Sequence, residues 1–260
     1  MDDVLEIINK FIDKMKYKEN DHVLGIYFYG SFLTGFNNKY SDIDLHVIFD
    51  NNDPLHIIRG TTHIDGMRIE YFEKPINDLY LTVENDYNNQ SNAPLSILGT
   101  SKIIFDKDGS LKKLQKYTKE KFANPLPKLN KETAKEQISI LNNRMEKLRI
   151  AAIDDSPYFH HLYHVSLEKI RKFYHKLNGM PEVQTTKIFR VYQDEAYRKS
   201  FYKDKIPEQE FIDMFINAAT DKSIDKLVLL KNIEGLYNYT KRNIDLDEDD
   251  YRILIESHNK

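Results

Sequence analysis

The chain has 260 residues, of which 40% are hydrophobic and 30% are charged. This apolar share supports a buried core, and the length fits one large or two medium domains. The 38 basic and 41 acidic side chains nearly balance, which disfavours nucleic acid as a partner because polynucleotide-binding proteins usually carry a basic excess. Cysteine is absent, so any metal site must use oxygen and nitrogen ligands.

The hydropathy pattern also bears on location. No run reaches the roughly 18 apolar residues of a membrane span, and the opening stretch Met1–Ile8 is acidic where a secretory signal would be basic. We therefore expect a cytoplasmic protein with no membrane partner.

The first predicted elements are a helix and two strands. An amphipathic helix is expected to end near Tyr17, because apolar residues recur at helical spacing from Val4 to Met15. Two apolar runs, Val23–Tyr29 and Asp42–Phe49, have the composition of strands.

A hairpin follows the second strand. Its arms are predicted around Thr61–Ile64 and Met67–Phe72, because Asp65-Gly66 between them is a strong two-residue turn signal. A short strand at Ser101–Phe105 and a Lys-rich helix ending near Phe122 complete this part of the chain.

Everything after about residue 125 has helical periodicity. Ser156-Pro157 has the residue types of a helix start, and Gly179 those of a helix end. The fold class predicted is α+β, with a mixed sheet flanked by helices in residues 1–124 and an all-α bundle in residues 125–260. One helix is expected to pack along another helix through a seam of apolar residues: Ala134, Ile138, Leu141, Met145, Leu148 and Ala152. Three later helices are expected at about 207–218, 222–242 and 248–257.

Two carboxylates next to each other on a strand carry most of the functional information. Asp42 and Asp44 project to the same face, because alternate residues of a strand do so. At an effective dielectric constant near 20 they repel each other by roughly 3 to 4 kcal/mol. A bound divalent cation would reverse the sign of that interaction, and an oxygen-only ligand set suits magnesium.

A third carboxylate can join them from the hairpin. Glu70 lies between Ile69 and Tyr71, so it is displayed on the face opposite to these apolar neighbours. If its strand neighbours that of Asp44, all three acids reach the same ion.

Gly30 and Ser31 close the first strand. Glycine lets a bound group approach the backbone closely, and the serine hydroxyl with nearby amides can hold phosphate oxygens.

Together, Gly30-Ser31, the Asp42-Ile43-Asp44-Leu45 stretch and the later Ile69-Glu70-Tyr71 stretch resemble the signature of the DNA polymerase beta-like nucleotidyltransferase superfamily. Within it, the arrangement of a catalytic and a helical domain resembles the antibiotic nucleotidyltransferases that act on aminoglycosides or lincosamides. The chain departs from many relatives in having Glu70 where they carry aspartate.

This resemblance implies an enzyme, an adenylyltransferase that transfers AMP from ATP to a hydroxyl of a small-molecule antibiotic and releases pyrophosphate. It implies that Asp42, Asp44 and Glu70 hold a pair of magnesium ions, that Gly30 and Ser31 bind the β- and γ-phosphates, and that Lys187 contacts the triphosphate. A homodimer is also compatible with relatives of this kind.

Two alternatives stay open. In the first, the chain nucleotidylates a protein or tRNA as a toxin or regulator. In the second, it is a non-catalytic, antitoxin-like interaction module. In addition, five polar residues form one stripe on the helix after Pro157, which is either a solvated face or the source of a general base, with Glu168 or a histidine in that role: His160, His164, Glu168, Arg171 and His175.

Overall fold

The computed structural model describes residues 2–50 and 57–242. The first part of the chain is a five-stranded sheet with helices. Its strands are β1 (Val23–Tyr29), β2 (Ile43–Phe49), β3 (Ile58–Ile64), β4 (Met67–Pro75) and β5 (Lys102–Asp106). Its helices are α1 (Asp2–Met15), α2 (Ser31–Thr34), α3 (Ile76–Asn88) and α4 (Ser110–Phe122), with a π-helical turn at Leu95–Gly99.

The strand order in the sheet is β3-β4-β2-β1-β5. The β2 and β4 strands run parallel, whereas every other neighbouring pair is antiparallel. The sheet is therefore mixed, as predicted. The parallel pair brings together two strands that a hairpin arm separates in the sequence.

Both faces of the sheet are covered by apolar residues. On one face, Phe11 of α1 packs with Leu45 and Ile69. On the other, Ile48 packs with Leu79 of α3 and Leu114 of α4. Because side chains alternate along β2, Asp44 lies on the same face as Ile48, beyond the end of this second core.

The remaining elements are helical. They are α5 (Lys131–Ile153), α6 (Phe159–Leu177), α7 (Ile188–Gln193), α8 (Glu195–Ser200), α9 (Gln209–Thr220) and α10 (Lys226–Lys241), with a 3-10 turn at Thr185–Lys187. All six residues of the predicted α5 seam are buried. The fold class predicted from the sequence is thus confirmed.

The chain forms two compact units. One comprises the described residues up to Pro127 together with Asp194–Asp204, and the other comprises Lys128–Gln193 with the described residues from Lys205 onward. The segment Asp194–Asp204, which contains α8, thus packs with the sheet unit. The division into a catalytic domain over residues 1–124 and a helical domain over residues 125–260 stays a prediction.

The hairpin turn and the two ends of α6 test the local predictions. The turn at Asp65-Gly66 is confirmed, with both residues at positive φ (49° and 80°), as a type I′ turn requires. The end of α6 is also confirmed, because Gly179 and Met180 donate to Lys176 and His175 in a Schellman pattern. The start of α6 is wrong by two residues.

Ser156 forms a turn before α6 rather than its N-cap. Its carbonyl accepts from the Phe159 N–H, and its hydroxyl from the Tyr158 N–H. Helix α3 is absent from the predictions. The helix predicted over 248–257 lies outside the described residues. No helix in residues 2–50 or 57–242 is long and apolar enough to cross a membrane.

Candidate metal and nucleotide site

Strand register places the acidic residues in rows across one face of the sheet. In the central row, Tyr29 of β1 lies opposite Asp44 of β2, Asp44 opposite Glu70 of β4, and Glu70 opposite Thr61 of β3. This row crosses four strands, so the two carboxylates at its middle come from the parallel pair. Glu70 therefore faces Asp44 directly, as its strand position suggested.

The three predicted acids converge. Asp42, Asp44 and Glu70 each offer one carboxylate oxygen, and these oxygens lie within 4.8 Å of one another. All three residues are partly buried. Carboxylate oxygens at this separation, open on one side, are the hard ligands that a divalent cation such as magnesium takes while it keeps positions for water and phosphate. These residues therefore fit a divalent metal ion.

Aromatic side chains lie next to the triad on the same face of the sheet. The row behind it contains His46 and Phe72, whose rings pack at 5.3 Å, and the Tyr29 ring lies 5.0 Å from His46. Burial lowers the pKa of His46 to about 3, and its Nδ1 atom has no hydrogen-bond partner among the described residues. His46 is accordingly a neutral ring in an apolar layer. Such a layer lowers the local dielectric around the carboxylates.

The pKa of Tyr29 depends on the negative charge of the site. Its pKa is raised, first by burial and then by the charges of Asp44, Glu70 and Asp42. The phenol therefore stays protonated beside the triad, as a neutral group.

Two arginines of the hairpin flank the triad. The Nε and Nη2 atoms of Arg59 both donate to Glu70 Oε1, the first at 2.8 Å. Arg68 is more loosely placed, with its Nε 4.0 Å from Asp42 Oδ2. Both arginines are largely exposed, at 69% and 52% of their side chains. Because both Arg59 donors use one oxygen, Glu70 Oε2 is left for a cation.

Gly30 fits against Asp44. It has φ 88°, in the left-handed region, and a β-carbon there would overlap Asp44 Oδ2 and lie 3.0 Å from Cγ. Any side chain at this position would displace the carboxylate. Glycine is thus required both by backbone conformation and by the approach of the backbone to the triad.

The loop between Gly30 and Asp42 is organised by local hydrogen bonds. Ser31 begins the short helix α2, so its amide lies in a first turn, where no earlier helical carbonyl can accept from it. Further along, Asn38 Oδ1 accepts from the Tyr40 N–H at 2.8 Å, and Ser41 Oγ accepts from the Asn38 N–H at 2.9 Å. This Asx turn leads the chain directly into Asp42.

Lys187 lies in the helical unit, in the 3-10 turn Thr185–Lys187. Its predicted contact with a triphosphate stays a prediction.

The polar stripe of α6 is divided. His160 and His164 are exposed, whereas Arg171 and His175 are buried. The solvated-face interpretation is therefore wrong for the second half of the stripe.

The buried part of the stripe forms a structural network. Arg171 donates to both oxygens of Glu168, at 2.9 and 2.5 Å, and to the Val183 carbonyl at 3.0 Å. The Thr185 hydroxyl donates to Glu168 as well. Burial acts to raise the pKa of Glu168, but the bonds from Arg171 and Thr185 outweigh it and lower the pKa. A carboxylate held in this way is a poor general base.

Sequence reasoning did not single out Arg59. Its register position on β3 follows from the Asp65-Gly66 turn, which pairs Arg59 with Phe72 and places its side chain diagonally next to Glu70. Counting back from the turn would therefore have revealed it.

The fold and the site together define the class of this protein. Proteins of this class have a mixed sheet that presents three clustered carboxylates beside a glycine-serine turn. Comparison with known proteins gives the family. A model of the nucleotidyltransferase domain matches residues 8–104. A candidate protein adenylyltransferase of Methanocaldococcus jannaschii is 34% identical over 105 residues, which are 39% of this chain and 71% of that protein.

A solved structure is also similar. The nucleotidyltransferase-like protein from Exiguobacterium sibiricum has a TM-score of 0.49 and 13% identity, and the match covers 91% of this chain and 75% of that one.

This chain belongs to the nucleotidyltransferase domain family. The predictions of the superfamily and of an enzyme of the nucleotidyltransferase class are confirmed. A nucleoside triphosphate is accordingly a substrate, and the acidic triad can hold a divalent metal ion.

Proposed function

We propose that the protein is a magnesium-dependent adenylyltransferase that transfers AMP from ATP to a hydroxyl group. In this reaction the acceptor oxygen forms a bond to the α-phosphorus, and the bond from that phosphorus to the bridging oxygen of the β-phosphate breaks. Pyrophosphate leaves, and the hydroxyl proton is released. The observation that carries the proposal is the convergence of Asp42, Asp44 and Glu70 within 4.8 Å.

Asp42, Asp44 and Glu70 are the residues that would hold magnesium. Bound there, magnesium supplies charge neutralisation on the phosphates and makes the acceptor hydroxyl more acidic. The oxygen-only ligand set and the partial exposure of all three acids support this assignment. Arg59 binds one oxygen of Glu70, and this contact orients the second oxygen of the carboxylate.

Gly30 and Ser31 are the residues proposed to bind the β- and γ-phosphates. The bare backbone at Gly30 reaches Asp44, so phosphates placed over it lie next to the metal ligands. The Ser31 hydroxyl and first-turn amide are neutral donors for their oxygens. Lys187, by family resemblance, is proposed to add a positive charge to the triphosphate.

Two acceptor classes follow from different observations. The resemblance stated above favours an aminoglycoside or lincosamide antibiotic. The name of the Methanocaldococcus jannaschii relative, a candidate protein adenylyltransferase, favours a hydroxyl of a polypeptide. We take the polypeptide as the leading acceptor, because it is the acceptor class in the name of a relative that is 34% identical to this chain over 105 residues.

The test is an assay of AMP transfer. Purified protein is incubated with ATP labelled at the α-phosphate, with magnesium, and with separate acceptors: polypeptides, aminoglycosides, lincosamides and tRNA. We expect label on one acceptor class, equimolar pyrophosphate, and loss of both with EDTA. The proposal fails if no acceptor gains label and no pyrophosphate forms.

Binding gives a second, independent measurement. Titration calorimetry should detect ATP binding only with a divalent ion, and Asp44→Asn should abolish that dependence. The matched control is Asp65→Asn, since Asp65 is an exposed turn acid that pairs with Lys10 and lies outside the triad.

A further inference from the structure

The hairpin that flanks the acidic triad has an exposed cationic face. The side chains of Arg59, Thr61 and His63 alternate along β3 and project to the same side as Glu70. All three residues are exposed, as is Arg68 on β4, opposite His63. The triad is therefore bounded by basic and hydroxyl side chains on this side and by the Gly30-Ser31 turn on the other.

The strand order gives these two sides different roles. Gly30 follows β1, whereas the cationic side chains belong to β3 and β4. The triad lies between them, with Asp44 on β2, Asp42 just before β2 and Glu70 on β4. In phosphoryl-type transfer, the attacking and leaving oxygens are roughly in line on opposite sides of the phosphorus. If pyrophosphate leaves over Gly30-Ser31, as in the proposed function, then the acceptor arrives over the hairpin.

The charges on the hairpin select among acceptors. Arg59 uses two of its five N–H donors on Glu70 and keeps Nη1, while Arg68 is only loosely associated with Asp42 at 4.0 Å. Guanidinium groups with unused donors bind carboxylates strongly and often in a bidentate manner. They repel a polycation such as an aminoglycoside.

Few acidic side chains compete for these arginines. Within residues 58–75, the acids outside the triad are Asp65, which bonds Lys10, and Glu73, which is buried and accepts from the Tyr17 hydroxyl. Neither belongs to the cationic face. With Arg59 and Arg68 against Glu70, the hairpin face therefore carries one net positive charge that an incoming group can complement.

The position of β3 favours an extended chain as the occupant. This strand is at the edge of the sheet, so its outward backbone groups have no neighbouring strand in the described parts of the chain. An extended polypeptide can pair with such an edge and place alternate side chains over the face that bears the triad.

We propose that the acceptor is a hydroxyl-bearing side chain within an acidic polypeptide segment, recognised by Arg59 and Arg68. This inference rests on the proposed function for the location of the leaving group. It gives the hairpin a role in acceptor specificity, in addition to the contact by which Arg59 orients Glu70.

The test uses synthetic peptides of matched length. Each contains one serine, one threonine and one tyrosine, flanked either by glutamates or by lysines. Mass spectrometry measures AMP transfer, and fluorescence anisotropy of the same labelled peptides measures binding with magnesium but without ATP. We expect the acidic peptide to be preferred by about tenfold or more in kcat/KM and in Kd, as for a charge-assisted contact.

Charge reversal sharpens the experiment. Arg68→Glu should lower or invert the ratio of acidic to basic peptide, because the ratio within one variant cancels any effect on metal binding. Lys102→Glu is the matched control, an exposed cation on the opposite edge strand β5, and it should leave the ratio unchanged. Equal use of both peptides, preference for the basic one or for an aminoglycoside, or modification of neither peptide would overturn the proposal.

Failure of the proposed function has a different result. In that case no acceptor gains AMP and ATP does not bind with magnesium, even if the acidic peptide still binds. Loss of the peptide preference alone, with AMP transfer to another acceptor intact, overturns only the acceptor assignment.

Discussion

The backbone of Gly30 lies against the carboxylate of Asp44, so closely that a β-carbon on Gly30 would overlap Oδ2. The last residue before α2 and a member of the acidic triad are thus fitted to each other. The two features that were separate in the sequence, a glycine-serine turn and a pair of aspartates, form a single structure.

This contact predicts the effect of Gly30→Ala. Displacement of Asp44 by about 1 Å should reduce AMP transfer by roughly 100-fold. Gly35→Ala is the matched control, because Gly35 also has positive φ (76°) but a β-carbon there would meet no atom of the described chain within 4 Å. Both variants should lose about 1 kcal/mol of stability from backbone strain. Equal activity of the two variants would contradict the role of the Gly30–Asp44 contact.

Asp44→Asn should separate activity from stability. We expect transfer to fall by roughly 10³-fold, because a ligand for the cation that stabilises the developing charge is lost. The melting temperature without metal should stay unchanged or rise, since one of three clustered charges is removed. A large drop in melting temperature would instead indicate that Asp44 serves mainly to support the backbone.

Arg59→Ala should affect the site more than the fold. The Arg59–Glu70 pair joins a largely exposed arginine, so its loss should change the free energy of unfolding by less than about 1 kcal/mol. Loss of the two donors that orient Glu70 should weaken metal affinity by roughly 10- to 100-fold. Manganese binding, followed by electron paramagnetic resonance, measures this directly. Unchanged affinity would remove Arg59 from the support of the triad.

The Glu168–Arg171 pair predicts a pH dependence of stability. The pKa of Glu168 is below its ordinary value of 4.5 in the folded protein, so its stabilising effect is complete above that pH and is lost as the pH falls further. Thermal unfolding between pH 7 and pH 3 should therefore show a steeper decline for the native chain than for Glu168→Gln.

Glu168→Gln should also be less stable at pH 7, by roughly 3 to 5 kcal/mol, because it removes the carboxylate in direct contact with the fully buried Arg171. Glu195→Gln is the control, since the Glu195–Lys199 pair is exposed and contributes little. Similar melting curves for the two variants would contradict a structural role for the buried network.

Helix α3 has local sequence signals that are too weak to predict it. Ile76, Leu79 and Val83 are its buried residues, at spacings of three and four. The helix was not predicted because its N-cap position is Pro75, which makes no side-chain cap, and because the exposed Leu81 interrupts the apolar stripe. The formation of α3 is therefore determined by its packing against the sheet.

The acidic triad shows both kinds of information. The sequence alone placed Asp42 and Asp44 side by side, because alternation along a strand is a local property of the backbone. That Glu70 joins them was conditional, since it depends on β2 and β4 becoming parallel neighbours in one register. The arginine contact to Glu70 depends in turn on that pairing.

Local geometry therefore determined the strands, the hairpin turn, the seam of α5 and the acidic pair, because each depends on residues a few positions apart. Only the tertiary structure decided that Asp194–Asp204 packs with the sheet unit, where Tyr197 contacts Phe36, and that Arg171 is buried. These features join segments distant in sequence. Their association depends on how whole surfaces fit, which no short-range pattern of residue types records.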